Sequence, residues 1–128
     1  MPNGFDGSRE DWERMEAPFL KIDDLLSQFA ADQNMQLNKN YHSWPRRDLH
    51  WTTAGIDRRI QLFAADRPGT YHVAVIAWKD DRGGRSVNDH WLEQWATWPA
   101  IEARLLPLLE EARTILESWS EKDLKSVG

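Results

Sequence analysis

The sequence predicts one α+β domain in two layers: an antiparallel meander of three to four strands, packed on one face by an N-terminal helix and a long C-terminal amphipathic helix. The length of 128 residues suits a single domain, 1–128. Apolar residues recur at helical spacing near both ends, and alternating runs separated by turn sequences fill the middle. We expect residues 1–11 and 120–128 to fray.

The first helix is predicted from apolar residues spaced three and four apart between Trp12 and Ala30. Pro18 interrupts this run. Because proline suits the first turn of a helix, we expect an irregular lead-in and a helix that opens at Pro18. The helix should end near Asn34, where polar residues weaken the pattern. Residues 35–47 show no period and predict a connection.

Three strands are predicted from alternating or β-branched residues, at 48–54, 57–65 and 70–79. Gly55 indicates the first turn. The second turn is indicated by residues 66–69, where proline presets φ and glycine permits a positive φ. This order predicts a meander of consecutive antiparallel strands.

Residues 85–96 fit two patterns. Alternation from Arg85 to Trp91 favours a fourth strand at the edge of the sheet, ending near Trp91. The apolar residues from Trp91 to Trp98 also follow helical spacing. We expect the short edge strand.

The C-terminal helix is predicted from one apolar stripe between Ile101 and Trp119. Pro99 suits its first turn. Pro107 lies inside the stripe, where it forfeits a backbone hydrogen bond and should bend the helix. Leu106 falls off the stripe, so we expect it to be exposed or buried by a partner.

The two faces of the predicted sheet differ in composition. Two-residue loops at the turns would place Ile60 opposite Trp51 and Ala77, with an apolar face for the helices. Aromatic residues on the other face indicate a partner or ligand surface, unless segments 35–47 and 85–98 fold over it and bury it. The residues expected on this second face are Asp48, His50, Thr52, Arg59, Gln61, Phe63, His72, Ala74, Ile76 and Trp78.

Composition and charge exclude several classes of protein. The absence of cysteine excludes a disulfide framework and a thiolate metal site, and no histidine spacing indicates a metal. With 21 acidic and 16 basic residues the net charge is −5, which argues against nucleic-acid binding. No apolar run reaches the ~18 residues of a membrane span and no signal peptide is visible, so we expect a cytoplasmic protein without a cofactor.

Two functional hypotheses remain open. The first is a small soluble binding or protein-interaction domain, non-enzymatic and self-associating as a homodimer, that binds a protein partner or a small ligand. Its contact residues would be His50, Arg59, Phe63, His72 and Trp78 on the second sheet face.

The second hypothesis is a small-molecule or anion-binding pocket, or an enzyme, built around residues 42–51. Arginine forks beside tryptophan rings suit an anionic or planar ligand. Alternatively these tryptophans are core, and the arginines pair with Asp48, Asp57 and the acidic helices. The side chains that would form the pocket are His42, Trp44, Arg46, His50 and Trp51.

The eight tryptophans separate these hypotheses. Trp51 and Trp119 are expected in the core, and Trp12 beside the first helix. A scaffold would bury the remaining tryptophans, whereas a binding surface would leave some of them open. Those five are Trp44, Trp78, Trp91, Trp95 and Trp98.

Overall fold

A computed structural model describes residues 7–39, 44–81 and 83–127 and has the α+β class that the sequence predicts. The strands form one antiparallel sheet in chain order, and helices pack on it. The elements are α1 (Arg9–Asp32), β1 (Gln36–Asn38), β2 (Arg46–Thr53), β3 (Ile56–Ala64), β4 (Thr70–Asp81), β5 (Gly84–Thr97), α2 (Trp98–Ala103), α3 (Leu105–Ser118), a 3₁₀ turn (Glu121–Asp123) and β6 (Lys125–Ser126).

The sheet has six strands, so the prediction of three to four strands was wrong. β1 lies in the segment expected to be a connection, and β6 lies in the tail expected to fray. Strands of three and two residues are too short to show alternation, which explains why the pattern missed them. β5 confirms that residues 85–96 form a strand, but the expectation of a short edge strand was wrong. β5 has 14 residues, continues beyond Trp91 to Thr97, and pairs with β6 on its outer side.

Both central hairpins pair two residues away from the predicted register. Ile60 lies opposite Leu49 rather than Trp51, and opposite Val75 rather than Ala77. Because side chains alternate along a strand with a period of two, a shift of two residues leaves every side chain on its predicted face. The predicted division of the sheet into two faces is therefore confirmed despite the wrong register.

The N-terminal helix starts well before Pro18, so the expected irregular lead-in was wrong. Ser8 accepts a hydrogen bond from the Asp11 N–H at 3.1 Å, and the Asp11 carboxylate accepts one from the Ser8 N–H at 3.2 Å. This capping box pairs two backbone groups at the start of α1. In the turn before Pro18, the Tyr71 hydroxyl donates to the Met15 carbonyl at 2.9 Å. Local capping and a contact from the sheet thus support a helix that contains a proline.

The C-terminal helix is interrupted at Arg104 rather than bent. Pro107 is the third residue of α3, a position whose N–H would have no partner within its own helix. A continuous helix would have required that N–H to bond the Ala103 carbonyl, so the chain ends α2 there and begins α3. Leu106 is 50% exposed, as its position off the stripe predicted, whereas Leu105 is buried.

Two buried arginines on the helix-facing side of the sheet hold the helices. Arg47 donates from Nε and Nη2 to the Asp23 carboxylate on α1, at 2.8 and 3.1 Å. Arg58 donates to the carbonyls of Leu116 and Trp119 at the end of α3. A cation at this end also interacts favourably with the helix dipole. Among the helices described, none is long and apolar enough to cross a bilayer.

Candidate functional site

The sheet face turned away from the helices, here called the polar-aromatic face, carries the side chains that the sequence places there. The helices pack against the opposite face, through residues such as Leu49, Ile60 and Val75. Asp48 and His72 are buried on the polar-aromatic face, at 0% and 8% exposure, although the described helices pack on the opposite face. Their neighbours on the face are mostly half-buried. The side chains therefore cover one another, and the contacts between them define the site.

Four aromatic side chains interlock at one end of this face. The His72 ring centroid lies 4.9 Å from that of Trp91 and 4.7 Å from that of Trp95. Phe63 completes the group, 5.1 Å from His72 and 5.7 Å from Trp91. Both tryptophans come from β5 and stay partly open, at 45% and 38% exposure. The two predicted alternatives were a buried face and an open face. The structure is intermediate, since β5 places Trp91 and Trp95 over the face but leaves both of them partly exposed.

Trp95 is held in a strained backbone conformation. Its φ is +58°, in the left-handed region that costs a non-glycine residue about 1–2 kcal/mol. The pairing of β4 with β5 is irregular nearby, and the Trp95 N–H donates to His72 Nδ1 at 3.3 Å. The Arg67 guanidinium lies 4.2 Å from the Trp95 ring centroid. These contacts offset the strain and fix the indole over the face.

Burial and the hydrogen bond from Trp95 together define the charge and the tautomer of His72. Burial lowers the pKa of His72, and the charge of Asp66 opposes this only in part. The imidazole is therefore neutral at neutral pH. Because Nδ1 accepts a hydrogen bond, Nε2 carries the proton and is a donor. His72 thus contributes a hydrogen-bond donor without a charge.

An open cleft of about 480 Å³ lies beside this aromatic group, and we call it the aromatic cleft. Its volume is in the range of small-molecule sites. Its described lining residues are Trp44, Arg46, Gln61, Phe63, Ala64, Ala65, Asp66, His72 and Trp95. Rings form much of the wall, and an arginine, a glutamine and a neutral histidine supply polar groups.

A chain of charges and rings continues from the aromatic cleft along the face. Arg46 and Arg59 both donate to the buried Asp48 carboxylate, at 2.7 and 3.0 Å. The Arg59 guanidinium lies 5.0 Å from the Trp78 ring, and Arg85 lies 5.4 Å from the same ring. Within the described part of the chain, the buried Arg59 Nε has no hydrogen-bond partner. This network holds Arg46 at the cleft.

The structure brings together four of the seven sequence-predicted site residues: Trp44, Arg46, Phe63 and His72 line the aromatic cleft. Arg59 does not line the cleft, but it binds Asp48, which also binds Arg46. Trp78 lies beyond Arg59, and His50 pairs with Arg59 in the register; neither is a lining residue of the cleft.

Sequence reasoning did not predict the other five described lining residues as site residues: Gln61, Ala64, Ala65, Asp66 and Trp95. Gln61 was placed on the correct face, but one polar residue on a strand carries no signal for a site. Trp95 lies after the expected end of the edge strand, and a tryptophan at positive φ has no signature in the sequence. Its position follows from the irregular pairing of β5 with β4.

The structure divides the described residues of the alternative pocket at 42–51 between the two faces of the sheet. Arg47 and Trp51 lie on the helix-facing side, while Arg46 and His50 lie on the polar-aromatic face, because neighbours on a strand point to opposite sides. His42 lies outside the described residues. Trp44 and Arg46 are the members of this segment that reach the aromatic cleft.

The described residues contain no group of three or more histidine, aspartate or glutamate side chains that could hold a metal ion. The chain matches no protein-family model, no curated protein and no solved structure.

Proposed function

We propose that this protein is a small, non-enzymatic binding domain that captures a ligand in the aromatic cleft. The ligand is a small molecule or a side chain of a partner protein. The aromatic cleft carries the proposal: rings from β3, β4 and β5 line an open volume of about 480 Å³, and these three rings lie outside the hydrophobic core cluster.

The strained Trp95 supports the same proposal. Strained residues that are held by several contacts cluster at ligand sites, and this one lines the cleft. His72 favours binding over catalysis, since its Nδ1 is engaged by the Trp95 N–H and its burial disfavours the protonated form. Self-association as a homodimer and a cytoplasmic location stay predictions.

The experiment is a fragment screen observed through the eight tryptophan indole N–H signals in a ¹⁵N-labelled sample. Fragments that enter the cleft should shift the signals of Trp44 and Trp95, and leave that of Trp119 unchanged. Trp119 packs against the core on the opposite side of the sheet. Trp95→Gly removes the Trp95 signal and should abolish the shift of the Trp44 signal, and it should fold because glycine adopts a positive φ without strain.

Trp78→Ala is the matched control, because it removes a half-buried tryptophan from the same face outside the described lining of the cleft. It should leave the fragment shifts intact. Shifts that persist in Trp95→Gly, or fragments that perturb only Trp12 and Trp119, would contradict the proposal.

A further inference from the structure

Trp95 belongs to an irregular part of β5 that the His72 side chain holds on the sheet. One residue of β4, His72, lies opposite two residues of β5, Gln94 and Trp95, between regular pairs. This two-against-one arrangement is a β-bulge, which redirects a side chain and leaves one residue without a partner in the ladder. Here Trp95 has the positive φ, and its N–H donates to His72 Nδ1 at 3.3 Å. A side chain therefore supplies the acceptor that the backbone of β4 does not.

The charge of the His72 ring decides whether this acceptor exists. Nδ1 accepts the bond from Trp95 only while it carries no proton, whereas a charged imidazole has an N–H at both nitrogens. Protonation would turn two donors toward each other and remove the bond. The strained φ of Trp95 then loses one of the contacts that offset it, and the Arg67 guanidinium over the Trp95 ring is left to hold the indole from its other side chain neighbours.

The surroundings of His72 allow it to titrate. Asp66, in the turn between β3 and β4, is the residue whose charge raises the pKa of His72, and burial of the ring outweighs it. Glu93, opposite Val73 on the helix-facing side, is paired with Arg104. Because His72 lines the open cleft, protons from solvent reach its ring. The described ionisable groups on the polar-aromatic face and in this turn are Arg46, Asp48, His50, Asp57, Arg59, Asp66, Arg67, Asp80, Arg85 and Asp89.

We propose that His72 and Trp95 form a pH-dependent latch on the aromatic cleft. With a neutral imidazole the latch is closed, and the Trp95 ring is fixed as a wall of the cleft. Protonation of His72 opens the latch, releases the ring and lowers the affinity of the cleft for a ligand. This inference rests on the proposed function, which supplies the ligand, and adds the regulation of the same site.

The first test titrates the ligand-free, ¹⁵N-labelled protein from pH 8 to pH 5. The imidazole ¹⁵N signals give the charge of His72, and the indole and backbone N–H signals report on Trp95. We expect the Trp95 signals to shift with the same apparent pKa as His72. The protection factor of the Trp95 backbone N–H should fall about ten-fold as His72 becomes charged, the effect of losing one hydrogen bond. The indole signal of Trp119, on the opposite side of the sheet, should not follow this titration.

Three variants fix the state of the latch or leave it alone. His72→Asn keeps an acceptor that does not titrate, so Trp95 should stay closed from pH 8 to pH 5. His72→Phe keeps a ring beside Phe63 and Trp91 but has no acceptor, so Trp95 should be released even at pH 8. His50→Asn is the matched control, because it removes another histidine of the same face that does not line the cleft. The Trp95 titration should be unchanged in this variant.

The second test measures binding of 2-naphthamide, an aromatic amide that stays uncharged between pH 5 and pH 8, by isothermal titration calorimetry. Affinity for the wild-type protein should be constant at high pH and should fall below the pKa of His72, by at most about ten-fold per pH unit. His72→Asn should bind with the same affinity across the range.

Trp95 signals that do not follow the charge of His72, or that titrate equally in His72→Asn, would overturn the latch and leave the proposed function standing. Naphthamide that binds with one affinity at pH 8 and pH 5 would do the same. The titration of the ligand-free protein decides the latch even if naphthamide does not bind, and the fragment screen decides the proposed function independently.

Discussion

At the scale of single residues, strand geometry divides two pairs of neighbouring arginines between two roles. Arg47 and Arg58 face the helices, where they bind the Asp23 carboxylate and the last carbonyls of α3. Arg46 and Arg59 face away and share Asp48. The sequence left open whether these arginines serve the scaffold or a ligand. Because side chains alternate between the two faces along a strand, each pair has one arginine that contacts a helix and one that lies on the polar-aromatic face.

His72 should make the stability of the protein depend on pH. Burial lowers its pKa below the ordinary value of 6.5, so the unfolded chain binds more protons than the folded chain as the pH falls through that value. The contribution of His72 is fully present above the unfolded pKa and is lost toward lower pH. Protonation of Nδ1 would also oppose the bond from the Trp95 N–H. Urea denaturation between about pH 8 and pH 5 should show this loss, with a slope of at most about 1.4 kcal/mol per pH unit from this group.

His72→Asn is the control for this prediction. The asparagine oxygen lies close to the position of Nδ1 and can accept from the Trp95 N–H, but it does not titrate. The difference in unfolding free energy between the wild-type protein and His72→Asn isolates the histidine from the carboxylates that titrate lower. A difference that stays constant across the range would contradict the assignment of a lowered pKa.

At the scale of elements, the sequence predicted the structure correctly where a periodic apolar pattern extended over a long segment with one buried side. The stripe of α3 and the alternation of β3 and β4 predicted both the elements and their buried faces. The prediction failed where an element was a very short strand or where a local cap determined its start. β1 and β6 form by pairing with longer strands, and the start of α1 depends on a cap that lies outside the apolar pattern.

The cap of α1 is open to a direct test. Ser8→Ala removes the hydroxyl that accepts from the Asp11 N–H, and should lower the free energy of unfolding by about 1 kcal/mol. Ser27→Ala is the matched control, since Ser27 is exposed inside the same helix and alanine is the better helix former there. The control should be neutral or stabilising by about 0.5 kcal/mol in the same urea titration. Equal effects of the two substitutions would show that α1 does not depend on this cap.

At the scale of the whole molecule, the face that carries the candidate site was predictable, but the cleft in it was not. Alternation along β2, β3 and β4 was enough to place Arg59, Phe63 and His72 on one face even with the register shifted by two residues. The cleft requires Trp44 and Trp95 as well, which come from segments without a clear period. Their positions depend on tertiary pairing and on one residue at positive φ. A local pattern carries neither kind of information.

The C-terminal residues cover the far edge of the sheet. The last residues, expected to fray, instead place β6 beside Ser86 and Val87 and bury Leu124 to 8% exposure. Lys79 also binds Glu121 at 3.0 Å. Residues 120–127 therefore protect the start of β5, whose unpaired backbone groups would otherwise be open to a second chain.

Removal of residues 121–128 should destabilise the protein and promote association through the uncovered edge. Leu124→Ala in the full chain isolates the apolar contribution and should cost about 2 kcal/mol, at the low end for a buried leucine because the site lies near the surface. The deletion should cost more, since it also removes the pairing with β5, and static light scattering should show concentration-dependent association of the deleted form alone. A deletion variant as stable as Leu124→Ala would limit the role of the tail to burying one side chain. A deletion variant as stable as the full chain would show that the tail contributes nothing to the stability of the fold.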